Sequence, residues 1–358
     1  MQRRKTRQLM VGKVAVGGDA PISVQTMTKT DTRDEQATLA QIRQIEAARA
    51  DIVRCAVPDM EAAEALCRII PQVSIPVVSD IHFDHKLALK MAAGGAACLR
   101  VNPGNIGSRA RVEEVVAAAR DRGIPIRIGV NSGSLEKHLL QKYGWPTTEA
   151  LVESALEHVR ILEELNFPDV KVSLKASDVE RTVAAYRLFA AKNDYPLHLG
   201  VTEAGSAFAG TIKSAVGLGI LLHEGIGDTI RISLTDTPTE EVRVGREILK
   251  ALNIRSSGPV IISSPTCARI EVDLPPMVKE IERQLADLPY PLTLALMGCA
   301  VNGPGECQEA DLGLAAGRKV GMIYKQGKPY KKVPEDKIVE EFVLLAKEMA
   351  EERVRSKE

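Results

Sequence analysis

From residue 20 to about 252 the chain repeats one phrase, a short β-branched run followed by an amphipathic helical stretch. The runs are Ile22–Met27, Asp51–Val57, Pro76–Ile81, Cys98–Asn102, Pro125–Asn131, Val170–Lys175, Pro196–Glu203 and Thr229–Thr235. Between them lie segments such as Glu35–Ala48, Glu61–Ile70, Arg109–Arg122, Glu149–Leu165, Val179–Ala191 and Glu240–Leu252. Strand-then-helix units with short joints build a parallel sheet, and eight evenly spaced units predict a (β/α)8 TIM-type barrel over residues 1–255. A doubly wound open sheet is the alternative. Hydrophobic residues make up 45% of the 358 and aromatics only 3%, so the core must be Val, Ile, Leu and Ala, which suits α/β packing.

A turn-rich linker, Arg255-Ser256-Ser257-Gly258-Pro259, ends the repeat. Beyond it, Val260–Ser263 and Leu292–Met297 read as strands flanking a helix from about Pro276 to Leu285. A strand pair, Asp311–Ala316 and Val320–Lys325, and a charged helix over Glu335–Glu352 complete a small α+β domain at residues 259–358.

In a barrel of this kind, polar residues at the carboxyl ends of the strands face the catalytic mouth. Those ends carry Gln25, Arg54, Asp80 with His82, Arg100 with Asn102, Arg127 with Asn131, Lys175, Glu203, and Arg231 with Ser233. Cations therefore outnumber carboxylates at the mouth, although the whole chain has a formal net charge of +0. Clustered cations repel one another unless an anion sits among them, and the Arg fork grips phosphate oxygens in a bidentate way. A substrate with two phosphoryl groups is the inference. His82 is a candidate general acid or phosphate donor, and Lys175 also admits a Schiff-base reading. The loop Asn102–Gly107 follows a strand and opens a helix, so its backbone N–H groups are candidate phosphate donors. The remaining histidines, His158 and His198 among them, read as surface or core residues.

Six cysteines are too few for a disulfide scaffold, and scattered thiols suit a reducing, cytoplasmic setting. Cys55, Cys67 and Cys98 read as small buried hydrophobes. Cys267, Cys299 and Cys307 instead sit in Pro- and Gly-rich loops, Ser264-Pro265-Thr266-Cys267 and Gly298-Cys299-Ala300-Val301-Asn302-Gly303-Pro304-Gly305-Glu306-Cys307. Soft ligands on such loops, with an acid nearby, suit an iron–sulfur cluster. Three thiols at these spacings match no common zinc pattern. Neither a membrane-spanning run nor an apolar segment after the basic start Met1 to Arg7 is evident, and bulk charge gives no sign of nucleic acid.

Several of these segments together resemble the bacterial 4-hydroxy-3-methylbut-2-enyl diphosphate synthases of the non-mevalonate isoprenoid pathway. They are Arg100–Gly107, Arg127–Glu136, Val201-Thr202-Glu203-Ala204-Gly205 and Val301–Glu306, and the similarity runs from about Arg4 to Val333. The resemblance implies an oxidoreductase that reductively opens and dehydrates 2-C-methyl-D-erythritol 2,4-cyclodiphosphate. Its electrons would pass from flavodoxin or ferredoxin through a [4Fe-4S] cluster, in a homodimer. It implies substrate binding by Arg54, Arg100, Arg127, Asn131, Lys175, Arg231 and Ser233, and catalytic roles for Asp80, His82, Glu203, Asn302 and Glu306.

The cluster ligands implied are Cys267, Cys299, Glu306 and a residue at position 264. There the family has Cys-Pro-Thr-Cys and this chain has Ser264, whose alkoxide is a poorer iron ligand. Cys307 is a substitute donor only if its loop shifts by one residue, since beside Glu306 on an extended loop it should point the other way. A cluster-deficient member that only binds the cyclic diphosphate is the alternative expectation.

Overall fold

The computed structural model describes residues 2–255, 258–286, 288–299 and 301–356; Met1, Ser256, Ser257 and Ala300, which fall in segments discussed above, lie outside that set. The chain divides into two units, Met1–Leu252 and Asn253–Glu358.

The first unit opens with a hairpin the β-branched repeat did not predict, β1 (Leu9–Val11) and β2 (Val14–Val16). It packs Leu9, Val11 and Val16 against Ile52, Val78, Ala97 and Cys98, residues at or near strand starts, and so covers the barrel end opposite the mouth. The barrel strands follow as β3 (Ser23–Met27), β4 (Ile52–Ala56), β5 (Val77–Asp80), β6 (Cys98–Arg100), β7 (Ile126–Asn131), β8 (Val170–Lys175), β9 (His198–Leu199) and β10 (Thr229–Ile230). All pair in parallel, in the order β8-β7-β6-β5-β4-β3-β10-β9. The ring closes where Val172 bridges Leu197 and its N–H donates to the Pro196 carbonyl at 2.9 Å. The barrel reading holds and the open-sheet alternative falls, because an open sheet has two free edges.

The helices are α1 (Glu35–Ala47), α2 (Met60–Ile69), α3 (His85–Ala93), α4 (Arg109–Asp121), α5 (Lys137–Tyr143), α6 (Thr148–Glu164), α7 (Val179–Ala190), α8 (Ala207–His223) and α9 (Pro238–Ala251). Several begin on an Asp or Thr whose side chain accepts a first-turn N–H: Asp34, Asp59, Asp84, Thr147, Asp178 and Thr237. Such a cap is worth about 1 kcal/mol and fixes where each mouth loop ends.

The second unit is a mixed sheet in chain order: β11 (Val260–Ser263), β12 (Thr293–Met297), β13 (Leu312–Gly317), β14 (Val320–Lys325) and β15 (Lys328–Pro334). The first three are parallel and the last pairings antiparallel. Helices α10 (Leu274–Leu285) and α12 (Ile338–Arg355) bury Ile281, Leu285, Phe342 and Met349 with Leu294, Leu296, Leu314 and Ile323 from one sheet face. Ala295, Met297, Ala315 and Tyr324, on the alternate positions, pack with Cys307 of the short helix α11 (Gly303–Gln308). No helix among the described residues is long and apolar enough to cross a membrane.

Candidate active site

Parallel pairing places residues at equal height on adjacent strands side by side, pointing to the same face. In β5 to β8 the register aligns Asp80 with Arg100, Arg100 with Arg127, and Arg127 with Lys171. One carboxylate thus starts a row of three cations. Higher in the same pair of strands, Asn131 stands beside Lys175.

Asp80 is the hub. Its carboxylate lies 3.3 Å from Arg100 Nη1, 3.8 Å from Arg54 Nε and 3.6 Å from His82 Nε2. Burial opposes its charge, but Arg54, His82, Arg100 and Arg127 outweigh burial and hold it far below the usual carboxylate range. Arg100 Nη2 donates to the Gly129 carbonyl at 2.8 Å, and Nη1 lies 3.1 Å from His82 Nδ1. The Asn102 amide grips the same glycine from both sides, accepting from its N–H at 2.9 Å and donating to its carbonyl at 3.2 Å. A side chain at 129 would begin 2.7 Å from Arg100 Nε, so glycine there makes room for the guanidinium.

Further round, Arg127 is 1% exposed and donates to Ser173 Oγ at 2.8 Å, while its Nε and Nη2 have no partner. Lys171 Nζ is likewise unpartnered and fully buried, and burial lowers its pKa to about 8. Burial, then Arg231, Arg127, Arg54 and Arg100, push the Lys175 ammonium well below its ordinary value. Arg231 falls to about 10 through burial first and Arg54 second, and its Nη1 donates to Ser233 Oγ at 2.6 Å. Buried cations with spare donors and depressed pKa values leave this region with more positive charge than its carboxylates neutralise.

A cavity of about 350 Å3 at this end is lined by Lys29, Glu203, Arg231, Ser233 and Glu241 among others. Glu203 is exposed and sits at φ 52, the left-handed region, where a non-glycine residue is strained.

Three features escaped the strand-end reading. Glu241 lies on α9, not at a strand end; it is 1% exposed, accepts from Thr26 Oγ1 at 2.7 Å and the Leu234 N–H at 3.0 Å, and lies 3.3 Å from Lys29 Nζ. Its signal was an acid in the first turn of an otherwise amphipathic helix. His198 is fully buried on β9, both ring nitrogens unpartnered, and burial followed by Arg127 and Lys175 keeps it neutral. The third concerns the Asn102–Gly107 loop, expected to offer its N–H groups to phosphate: three of those groups are taken within the protein. Gly104 N–H donates to His158 Nδ1, Asn105 N–H to the Asn102 carbonyl and Ile106 N–H to the Pro103 carbonyl.

In the second unit, β11 and β12 run parallel and end side by side, so the loops after them emerge together. Ser264 N–H donates to the Leu296 carbonyl at 3.0 Å, and its hydroxyl accepts from Gly298 N–H at 3.1 Å. A small recess of about 40 Å3 there is lined by Ser264, Cys267, Arg269, Cys299 and Asn302 among others. Cys267 is exposed, and the Arg269 backbone N–H followed by its side chain lowers the thiol pKa. Cys299 is buried at 7% exposure. The donor chemistry suits an iron–sulfur group in kind: two thiols and a hydroxyl share one recess. No three His, Cys, Asp or Glu side chains among the described residues come together as a metal site, the third group at the recess being the serine.

Glu306 does not line the recess; it lies exposed on α11, six residues that fold as a helix and not as the extended loop expected. Cys307 therefore follows it by a helical step into the core. It is fully buried against Gly313, where an added side chain would begin 2.6 Å from its sulfur, and burial first, then Glu306, pushes its thiol up to about 12. In this arrangement Cys307 is a packing residue and not a substitute ligand.

Comparison with known proteins adds an independent observation. A family model described as "GcpE TIM-barrel domain" matches residues 6–246, and one described as "GcpE protein C-terminal domain" matches residues 260–348. A protein of Geobacter sulfurreducens named 4-hydroxy-3-methylbut-2-en-1-yl diphosphate synthase (flavodoxin) is 64% identical over 93% of this chain and 94% of its own length. Proteins of the same name from Magnetococcus marinus and Azotobacter vinelandii are 57% and 58% identical, each over 99% of this chain and 96% and 95% of their own. Among solved structures, a Plasmodium falciparum HPPK-DHPS with pterin and p-hydroxybenzoate has a TM-score of 0.51 at 8% identity, covering 69% of this chain and 48% of that one; it shares the fold alone. With both of its units matched in order and its relatives this near, the chain belongs to the GcpE family.

Proposed function

We propose that the chain carries out the reaction named for its relatives, converting 2-C-methyl-D-erythritol 2,4-cyclodiphosphate into 4-hydroxy-3-methylbut-2-enyl diphosphate. A ring C–O bond opens and a hydroxyl leaves as water; with both compounds written as neutral acids, two electrons and two protons are taken up. The observation that carries this reading is the row Asp80–Arg100–Arg127, whose cations exceed its carboxylates and keep unpartnered donors.

Arg54, Arg100, Arg127, Asn131, Lys175, Arg231 and Ser233 would bind phosphoryl oxygens. Asp80 is held ionised, so it orients Arg54 and Arg100 and accepts from a substrate hydroxyl but donates no proton. Proton transfer at the departing hydroxyl then falls to His82 or Glu203, both exposed on the mouth loops. Asn302, at the α11 N-cap, would act on the substrate. Cys267, Cys299 and the Ser264 oxygen would hold a [4Fe-4S] cluster, with Glu306 as the fourth donor once α11 turns its carboxylate toward the recess. When bound, that group supplies single electrons and a Lewis-acidic iron. The relatives' printed name supports flavodoxin as donor. It lends no support to a shell that binds without turnover, nor to a Schiff-base lyase at Lys175.

Scattered free thiols support a reducing, cytoplasmic setting. A homodimer is supported by α8, where Phe208, Ile212, Val216 and Ile220 recur every fourth residue and are 79%, 50%, 50% and 37% exposed. The test is anaerobic reconstitution with iron and sulfide, then incubation with reduced flavodoxin and the cyclic diphosphate, followed by phosphorus NMR. Appearance of the linear diphosphate is expected. Iron-loaded protein that leaves the cyclic compound intact overturns the proposal.

A further inference from the structure

We propose that His158 is a positioning residue for the phosphate-binding mouth, clasping the two loops that follow β6 and β7 and thereby fixing Asn102 and Arg100. The proposal rests on the diphosphate reading above.

His158 projects from α6 and is 3% exposed. Gly104 N–H donates to its Nδ1 at 3.1 Å, and its Nε2 lies 2.8 Å from Glu136 Oε1. A backbone N–H only donates, so Nδ1 must accept and the ring proton sits on Nε2, donating to Glu136. One neutral imidazole thus ties a glycine 54 positions before it to a glutamate 22 positions before it.

Both partners lie just beyond the mouth. Gly104 follows Asn102 by two residues, and Asn102 clamps both sides of the Gly129 peptide, whose carbonyl also receives Arg100 Nη2. Glu136 follows Asn131, the end of β7, by five residues. Position 104 is built for the clasp, since an added side chain would begin 2.8 Å from His158 Cε1 and 3.0 Å from Nδ1. Burial opposes the Glu136 charge, yet the His158 hydrogen bond leads the contributions that bring it to about 2. The anchor is therefore an ionised carboxylate, and the strength of a charge-assisted bond goes into holding a neutral ring still. The clasp acts on the mouth cations through Gly104, Asn102 and Gly129.

The experiment compares the parent with His158→Phe, which keeps a ring but no acceptor, and His158→Asn, whose carboxamide oxygen can occupy the place of Nδ1. Hydrogen exchange of residues 102–108 is read in the free protein, and affinity for the cyclic diphosphate by calorimetry. His158→Phe is expected to speed exchange and weaken binding, each by about tenfold, the scale of one lost buried hydrogen bond. His158→Asn keeps the acceptor for Gly104 but loses the Glu136 arm, so it is expected to show a smaller loss, within about threefold of the parent on both. If His158→Phe fails to fold, Gly104→Ala gives the same two readings. Parent-like exchange and affinity in His158→Phe overturns the proposal, as does equal loss in His158→Asn, which would mark simple core packing. A parent that binds no cyclic diphosphate, while exchange responds as stated, overturns the diphosphate reading and leaves the clasp supported.

Discussion

Lys171 is a buried cation that costs the fold stability. Its Nζ is buried without a partner, and burial lowers its pKa from 10.5 to about 8. A shift of that size corresponds to on the order of 3 kcal/mol of strain against the charged form. Because the folded value is the lower one, the penalty is full below pH about 8 and fades as pH rises to 10.5. Lys171→Met should therefore raise Tm by about 3–6 °C near pH 7, with the gain vanishing by pH about 10.5, as calorimetric scans across pH would show. Gly129→Ala argues the complementary case. Its new Cβ, 2.7 Å from Arg100 Nε, should displace the guanidinium and weaken cyclic diphosphate binding by about tenfold, while the thermal midpoint moves little. An unchanged dissociation constant would show that Arg100 does not need its present seat.

At the scale of elements, the differences between sequence and structure have local causes. Pro196–Glu203 and Thr229–Thr235 read as full strands, yet only His198–Leu199 and Thr229–Ile230 join the ladder. Past them the backbone leaves the sheet to build the mouth: Gly200 lets Lys175 Nζ pass 2.9 Å from where a side chain would begin, and Glu203 turns left-handed. Strand β15 escaped notice because Lys328, Pro329, Lys331 and Lys332 are poor strand formers, although Lys and Pro are what an exposed edge tolerates. Helix α11 was hidden by Gly303, Pro304 and Gly305. A proline in the first turn suits a helix start, and Gly303 allows close approach to Ala315, where an added side chain would begin 2.7 Å from its Cβ. With Cys307 in that core, Cys307→Ala should lower stability by about 1–2 kcal/mol and leave iron and sulfide content after reconstitution unchanged. Loss of iron in that variant would return Cys307 to the ligand set.

Across the whole molecule, the alternation of β-branched and amphipathic runs was enough to predict the barrel, and strand-end cations were enough to predict an anionic ligand. What the sequence hid are contacts between residues far apart in the chain: Glu241 with Thr26, and His158 with Gly104 and Glu136. No local periodicity encodes such pairs. The clasp also leaves a mark on acid stability. The Glu136 carboxyl falls from 4.5 to about 2, so its stabilisation is present above pH about 4.5 and is lost as pH falls toward 2. Glu136→Gln should flatten the acid limb of stability in that window, and a limb as steep as the parent's would remove the ion-anchored clasp.

A barrel mouth with more buried cations than carboxylates calls for a diphosphate as its ligand. Calorimetric titration of the protein with 2-C-methyl-D-erythritol 2,4-cyclodiphosphate, in two buffers of different ionisation enthalpy at pH about 8, tests it most directly. An anion beside Lys175 raises its depressed value, so saturable binding with net proton uptake is the predicted result. Binding that takes up no protons, or no binding at all, would contradict it.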